Sequence, residues 1–296
     1  MYQKRLFVDS YFQIGSAHLT AGKPCQDYAG AETENDFACV IVSDGCSSGA
    51  RTDIGARLNV LITAAAIKKM EELSIEAEIN LVDIFRDKAL AELSGDLGLD
   101  RNDLLATCLY AKITPNNNYI NIIGDGVIAY QFDNGEIWMS RFEWNKNTPF
   151  YPAYRIGGLR NFIAAHDGDL LAGVLRETKC IFTNGEYVDQ EEVVYSLQNG
   201  MRGVVIDLND KITMLKYIVL FTDGITQIDQ YDWRKAVVAM LSYKNTTGEF
   251  VKRRAIRELK DSFKIGKGAI DDFACAAIRI EKTEAEGGTN DYQQGN

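Results

Sequence analysis

The chain has 296 residues, of which 46% are hydrophobic and 25% charged, a balance typical of soluble globular proteins. Lysine and arginine total 32 against 42 aspartates and glutamates, and the resulting net charge of −10 argues against sequence-independent binding of nucleic acid, which requires a basic face. No apolar run reaches the roughly 20 residues of a membrane span, and the first residues lack the apolar core of a signal peptide. We therefore predict a cytoplasmic protein with neither a nucleic-acid nor a membrane partner.

The cysteines and histidines offer little material for disulfides or zinc. The six cysteines are scattered along the chain without a Cys-x-x-Cys pair, so no disulfide framework is expected. Only His18 and His166 are available as imidazole ligands. A zinc site built from cysteine and histidine is therefore not expected.

The first hundred residues predict two strands followed by two helices. Alternating apolar and polar residues predict a strand over residues 5–14, and a β-rich run predicts another over 36–43. From Asp53, apolar residues recur at three- and four-residue spacing, which predicts a helix with Asp53 as its N-cap. A second helical pattern covers residues 81–93.

The remainder predicts a β-meander, a mixed region over 143–200, and then strands and helices. Antiparallel strands in runs, interrupted by pairs of helices, indicate an α+β fold rather than a doubly wound parallel sheet. With four prolines and no linker, residues 1–280 are predicted to form a single domain, and the polar residues 281–296 a disordered tail. The predicted strands are 104–113, 119–123, 127–132, 137–142, 217–222 and 273–280, and the predicted helices are 231–243 and 248–263.

Aspartates recur where predicted strands end. Asp44 and Asp223 each follow a short apolar strand and precede a glycine, and Asp125 has the same context. An acidic pair, Asp271 and Asp272, comes just before the final strand. Asp-Gly is also ordinary turn chemistry, but its recurrence predicts that several carboxylates converge at one edge of the fold.

Converging carboxylates need a compensating charge. Like charges about 4–6 Å apart raise one another's pKa and destabilise the fold. Oxygen ligands of this kind suit hard divalent cations such as magnesium and manganese. A glycine beside the aspartate also lets backbone approach closely, so a carbonyl oxygen can serve as a further ligand.

The ordered set of these elements resembles the metal-dependent type-2C protein phosphatases, as a divergent member of bacterial type. Val42-Ser43-Asp44-Gly45 is similar to the family's V-x-D-G signature, and Thr222-Asp223-Gly224 to its T-D-G element. Asp271-Asp272 resembles the terminal acidic element, Gly124-Asp125-Gly126 the G-D-S-R-x-Y segment, and Gln26-Asp27 the early E-D element.

The resemblance implies a four-layer α-β-β-α sandwich of two antiparallel sheets flanked by helices. It also implies a metal-dependent phosphomonoester hydrolase that acts on phosphoserine and phosphothreonine proteins through a metal-activated water, without a phosphoenzyme. Two or three divalent cations, manganese or magnesium, would be the cofactors. Asp44 and Asp27 would be the catalytic residues, and the metal ligands would be Asp27, Asp44, Gly45, Asp125, Asp223 and Asp271.

The sequence departs from the family pattern around the early element. The family usually has a phosphate-binding arginine there, and the nearest cation is Lys23, which we take as the substrate-binding residue although lysine cannot form a bidentate clamp. Gln26 replaces a common glutamate, and Cys46 follows the first Asp-Gly. These departures leave open a second interpretation, in which the fold is a catalytically impaired regulatory or binding module.

A serine hydrolase is a competing enzyme class. Residues 45–49 fit G-x-S-x-G between a strand and a helix, with Ser47 as the nucleophile. Only His166 lies downstream as a base, and the chain lacks parallel β–α units, so this hypothesis explains less than the resemblance does. No EF-hand spacing occurs.

Overall fold

The computed structural model describes residues 2–73 and 79–284, and its strands account for much of that length. The helices are α1 (Ser16–Ala21), α2 (Thr52–Glu72), α3 (Ile79–Leu97), α4 (Ala153–Ile156), α5 (Leu159–Ala165), α6 (Leu197–Arg202), α7 (Trp233–Leu241) and α8 (Phe250–Ser262). The strands are β1 (Tyr2–Gln13), β2 (Asp27–Glu34), β3 (Phe37–Asp44), β4 (Cys108–Ile113), β5 (Tyr119–Ile123), β6 (Gly126–Phe132), β7 (Ile137–Trp144), β8 (Gly173–Thr183), β9 (Glu186–Asp189), β10 (Val193–Ser196), β11 (Val204–Asp207), β12 (Leu215–Phe221) and β13 (Phe273–Glu284).

The strands form two sheets in which every pairing is antiparallel. The large sheet has the order β1-β13-β12-β6-β7-β8-β10, with β9 paired to β8. The small sheet has the order β11-β5-β4-β3-β2. The strands β3 and β13 pack against each other across the interface between the sheets, while α2 covers β2 and β3, and α7 and α8 cover the large sheet. The predicted α+β sandwich of two antiparallel sheets flanked by helices is confirmed.

The two faces of β13 show why the layers hold together. Ala274, Ala276 and Ile278 belong to the core between the sheets, whereas Phe273 and Cys275 belong to the core beneath α7 and α8. Alternate residues of a strand point to opposite faces, so an apolar run without polar interruption fits a strand that is buried on both sides.

The predicted meander is divided between the two sheets. β4 and β5 belong to the small sheet, while β6 and β7 belong to the large sheet. The chain therefore crosses from one sheet to the other between Ile123 and Gly126. Alternation predicts that a segment is a strand but does not specify the sheet that it joins, so the meander prediction was wrong at this connection.

Several predicted boundaries differ from the structure. The N-cap of α2 is Arg51, so Asp53 lies in the first turn, where its charge favours the helix dipole. β4 begins at Cys108 because Asp100 caps a 3₁₀ turn over Arg101–Leu104. β13 continues to Glu284, where it pairs with the start of β1, so the first four residues of the predicted tail are strand. Residues 285–296 lie outside the described residues. None of the described helices has the length and apolarity of a membrane span.

Candidate metal centre

The small sheet places Asp27 and Asp44 side by side. Asp27 begins β2, Asp44 ends β3, and the two residues are antiparallel partners. The Gly45 N–H extends this pairing by donating to the Gln26 carbonyl at 3.0 Å. A Cβ at Gly45 would lie 2.6 Å from the Thr52 carbonyl oxygen and 2.8 Å from that of Gln26. Glycine is therefore required by the close approach of the neighbouring backbone, not only by a turn.

The large sheet repeats this construction at Asp223 and Asp271. Asp223 follows β12, and Asp271 precedes β13, its antiparallel neighbour. A Cβ at Gly224 would lie only 1.8 Å from the Asp272 carbonyl oxygen. The Gln227 amide donates to Asp223 Oδ2 at 2.9 Å and to Asp271 Oδ2 at 3.0 Å, so one side chain orients both carboxylates.

A threonine joins the two pairs across the sheets. The hydroxyl of Thr222, which is fully buried, donates to Asp27 Oδ2 at 2.6 Å. The Thr222 hydroxyl oxygen also accepts the Ala274 N–H at 2.9 Å. Asp27 of the small sheet is thereby fixed against the strand ends of the large sheet, and its side chain cannot turn away from the site without breaking a buried hydrogen bond.

Asp125 lies where the chain crosses between the sheets. Asp125 is only 9% exposed, and its Oδ1 has no hydrogen-bond partner within the described residues. Asp125 and Asp223 line a cleft of about 420 Å³. Buried polar atoms are almost always hydrogen-bonded, so an unpaired carboxylate oxygen in a residue that lines a cleft is a candidate cation ligand.

The pKa shifts follow from burial and from crowding of like charges. Burial, followed by the charge of Asp223, raises the pKa of Asp125 to about 8. Burial, followed by the charge of Asp271, raises the pKa of Asp223 to about 6. The pKa values of Asp27 and Asp44 are also raised well above the usual range, because both groups are desolvated and lie near other carboxylates. The predicted convergence of acids is thus present in the structure.

Asp272 has a different role from Asp271. Its carboxylate accepts the N–H groups of Gly15 at 2.7 Å and Gln26 at 2.6 Å, and it lies 2.7 Å from His18 Nδ1. The ligand atoms of His18, Asp271 and Asp272 all lie within 4.8 Å of one another. Because both oxygens of Asp272 are already bonded, we assign His18 and Asp272 to structure and only Asp271 to the site.

Two residues around the early element are engaged elsewhere. Lys23 is exposed and donates to the Ser47 carbonyl at 3.2 Å, and it does not line the cleft of Asp125 and Asp223. The Gln26 side chain donates to Thr52 Oγ1 at 2.6 Å, which ties β2 to the start of α2.

Sequence reasoning missed the residues that support the aspartates. Thr222, Gln227, Arg141 and Glu143 contact or surround the carboxylates, but none stands in a pattern that distinguishes it from other polar residues. Thr222 was included in a motif only as the neighbour of Asp223. The signal that identifies these residues is tertiary proximity.

The structure does not support the serine-hydrolase alternative. Ser47 is exposed between β3 and α2, and both sheets are antiparallel. His166 Nε2 lies 3.2 Å from the Thr148 carbonyl, and its ring packs on Trp144 and Phe162. The parallel β–α architecture that this class of enzyme uses is absent from both described sheets.

The donor set fits hard divalent cations. The converging ligands are carboxylate oxygens, which magnesium and manganese prefer, and the unpaired Asp125 oxygen lacks a partner that a cation would supply. Burial and like-charge repulsion raise the four pKa values, and a cation would offset both by favouring the charged carboxylates.

Residues 14–151 match the family model described as protein phosphatase 2C. A crystal structure of a bacterial serine phosphatase is 11% identical and covers 95% of this chain and 100% of that chain, with a TM-score of 0.50. A single-site variant of a bacterial serine phosphatase is 12% identical over 95% of this chain and 100% of that chain, with a TM-score of 0.51. No curated protein matches. The family match supports the resemblance to type-2C protein phosphatases over residues 14–151, and the solved structures share the fold of this chain.

Proposed function

We propose that this chain, which has the family match and fold of type-2C protein phosphatases, is a metal-dependent hydrolase of phosphoserine and phosphothreonine in proteins. One observation carries the proposal: Asp27 and Asp44 are paired strand neighbours, Thr222 binds Asp27 to the strand end that carries Asp223, and Asp223 lines one cleft with Asp125. A fold that keeps these carboxylates together without a cation loses stability to their mutual repulsion, which a bound cation would offset.

Each aspartate would have its own role toward the cations. Asp44 and the Gly45 carbonyl would hold two cations, Asp223 and Asp271 would complete the shell of one, and Asp27 would orient bound waters. Asp125 with Asp223 would hold a third. When bound, manganese or magnesium ions supply an activated water and neutralise charge on the phosphoryl oxygens.

The chain's own contribution is to fix the carboxylates before any substrate arrives. Thr222 holds Asp27 in one rotamer, and Gln227 holds Asp223 and Asp271 in a common orientation. These supports lie on strand ends and on one 3₁₀ turn that are themselves packed against buried apolar side chains. Ligands that are already oriented lose little conformational entropy when cations bind. A rigid site would also hold the reacting groups in line for attack by water.

The test compares hydrolysis of p-nitrophenyl phosphate and of a phosphothreonine peptide with manganese, with magnesium and with a chelator. Asp223→Asn should lose at least about 100-fold in turnover and the manganese-induced rise in melting temperature, since a ligand at about 100 times its Kd stabilises by ~2.7 kcal/mol. Asp96→Asn, at an exposed position of α3, is the matched control and should behave as the wild type.

Two outcomes would contradict the proposal. Manganese-induced stabilisation without turnover on either substrate would favour the regulatory or binding module. The position of Lys23 away from the cleft is consistent with that alternative. Turnover that persists in chelator and in Asp223→Asn would exclude the proposed metal ligands.

A further inference from the structure

The cleft beside Asp125 and Asp223 contains one arginine that the family resemblance does not account for. Arg141, from the middle of β7, is the sole cationic side chain among the described residues that line this cleft. The other polar lining residues are Asp125, Glu143, Asn147, Asp223, Thr226 and Gln227.

The backbone places Arg141 close to the carboxylates. Arg141 is the antiparallel partner of Val127, two residues after Asp125. Arg141 and Glu143 alternate with the buried Phe142, so both side chains project from the same face of β7. The positive charge of Arg141 acts on both Asp125 and Asp223.

The guanidinium is oriented but not saturated. Its Nη2 donates to Glu143 Oε1 at 2.5 Å, and this is the single hydrogen bond that its side chain makes with the described residues. Arginine has five N–H donors in a rigid fork, so Nε and Nη1 remain available to a ligand in the cleft. The side chain is 30% exposed, which gives a ligand access while limiting its hydration.

The position that the family uses for phosphate cannot supply such a fork here. Lys23 is exposed, is bonded to the Ser47 carbonyl and does not line the cleft. A phosphoryl group held by cations on Asp125 and Asp223 still has oxygens that need donors. A guanidinium, whose planar fork can bind two phosphoryl oxygens, is a common partner for such oxygens.

We infer that Arg141, oriented by Glu143, forms the phosphoryl-binding subsite of this chain. The inference rests on the proposed function, since it assigns the substrate contact of that same site. A rival role is that Arg141 serves only as a counter-charge that lowers the repulsion between Asp125 and Asp223 when no cation is bound. The two roles differ in their effect on phosphate, because only the subsite predicts weaker phosphate binding when Arg141 is replaced.

The experiment is a calorimetric titration of inorganic phosphate into the manganese-loaded full chain, for the wild type, Arg141→Gln, Arg141→Lys and Arg160→Gln. Arg160 is exposed on α5 and serves as the matched control. Arg141→Gln should weaken phosphate binding by about 10- to 100-fold, the loss expected for charge-assisted hydrogen bonds. Arg141→Lys should recover part of this loss, because lysine restores the charge without the fork.

Manganese titrations on the same variants show whether weaker phosphate binding comes from lost cations, and steady-state kinetics measure the effect on substrate binding. The subsite predicts unchanged or tighter manganese binding in Arg141→Gln, with a raised KM and a phosphate Ki raised by a similar factor. Unchanged phosphate binding in Arg141→Gln, or a wild type that binds no phosphate at millimolar concentration, would overturn the inference. Phosphate binding that depends on Arg141 in a wild type without turnover would sustain the subsite and refute the proposed hydrolase.

Discussion

Two dipeptides, Gln26-Asp27 and Asp271-Asp272, have similar surroundings, but the residue that faces the site is the second in one dipeptide and the first in the other. Each dipeptide lies beside an Asp-Gly step whose glycine is forced by close backbone approach, at Gly45 and at Gly224. In the first dipeptide the second residue, Asp27, turns to the site. In the second dipeptide the first residue, Asp271, does so.

The partner residue in each dipeptide holds the structure together. Gln26 ties β2 to α2, and Asp272 ties α1 and β2 to the start of β13. The two halves also meet directly, because Asp272 accepts the Gln26 N–H. Adjacent carboxylates in a sequence therefore need not share a role. The hydrogen-bond partners available at each position decide whether a carboxylate serves the cations or the fold.

Gly224→Ala should have the largest effect on the part of the site that the large sheet carries. A Cβ only 1.8 Å from the Asp272 carbonyl cannot be accommodated by side-chain movement, so we expect a loss of about 3 kcal/mol or more in the free energy of unfolding. Chemical denaturation measures this loss. Gly95→Ala, in an exposed helix with open space around it, is the control and should be neutral or stabilising. Equal stability of the two variants would refute the forced approach.

Replacing Asp271 and Asp272 separately with asparagine tests whether the two residues have different roles. The Gly15 and Gln26 N–H groups bind different oxygens of Asp272, and Asp272→Asn replaces one of these acceptors with an NH2 donor, so stability should fall by about 2–3 kcal/mol. Asp271→Asn should leave the metal-free stability within about 0.5 kcal/mol but weaken manganese binding. Denaturation in chelator and manganese titration read the two effects separately. Similar stability losses in both variants would contradict the assignment of different roles.

The pH dependence of the metal-free protein tests the shared repulsion. The folded pKa values of Asp125, about 8, and Asp223, about 6, exceed that of an unfolded aspartate, so the folded state binds more protons between pH ~4 and pH ~8. Stability should therefore be highest at the acid side of this window and fall by about 2–3 kcal/mol as pH rises from ~6 to ~8.

Denaturation at several pH values in chelator measures this slope. Asp125→Asn should flatten it, and manganese should flatten or reverse it, because the cation replaces the protons at the carboxylates. A slope that Asp125→Asn leaves unchanged would place the linked protons elsewhere in the molecule.

Local patterns gave most of the elements but not their partners. The final strand was predicted from an apolar run, yet its extension to Glu284 depends on pairing with the whole of β1. The predicted meander was wrong because sheet membership of β5 and β6 depends on long-range contacts, not on alternation. The same connection carries Asp125, so the sequence identified this residue without indicating that it lies between the sheets.

By itself, the sequence determined which carboxylates follow or precede buried strands, because strand periodicity and Asp-Gly steps are local properties. It also determined that the strands would pair in an antiparallel fold. Only the tertiary structure decided that Asp272 supports the fold while Asp271 faces the site, and that Thr222, Gln227 and Arg141 surround the carboxylates. The physical reason is that a hydrogen bond depends on distances between atoms, and these partners lie far apart along the chain.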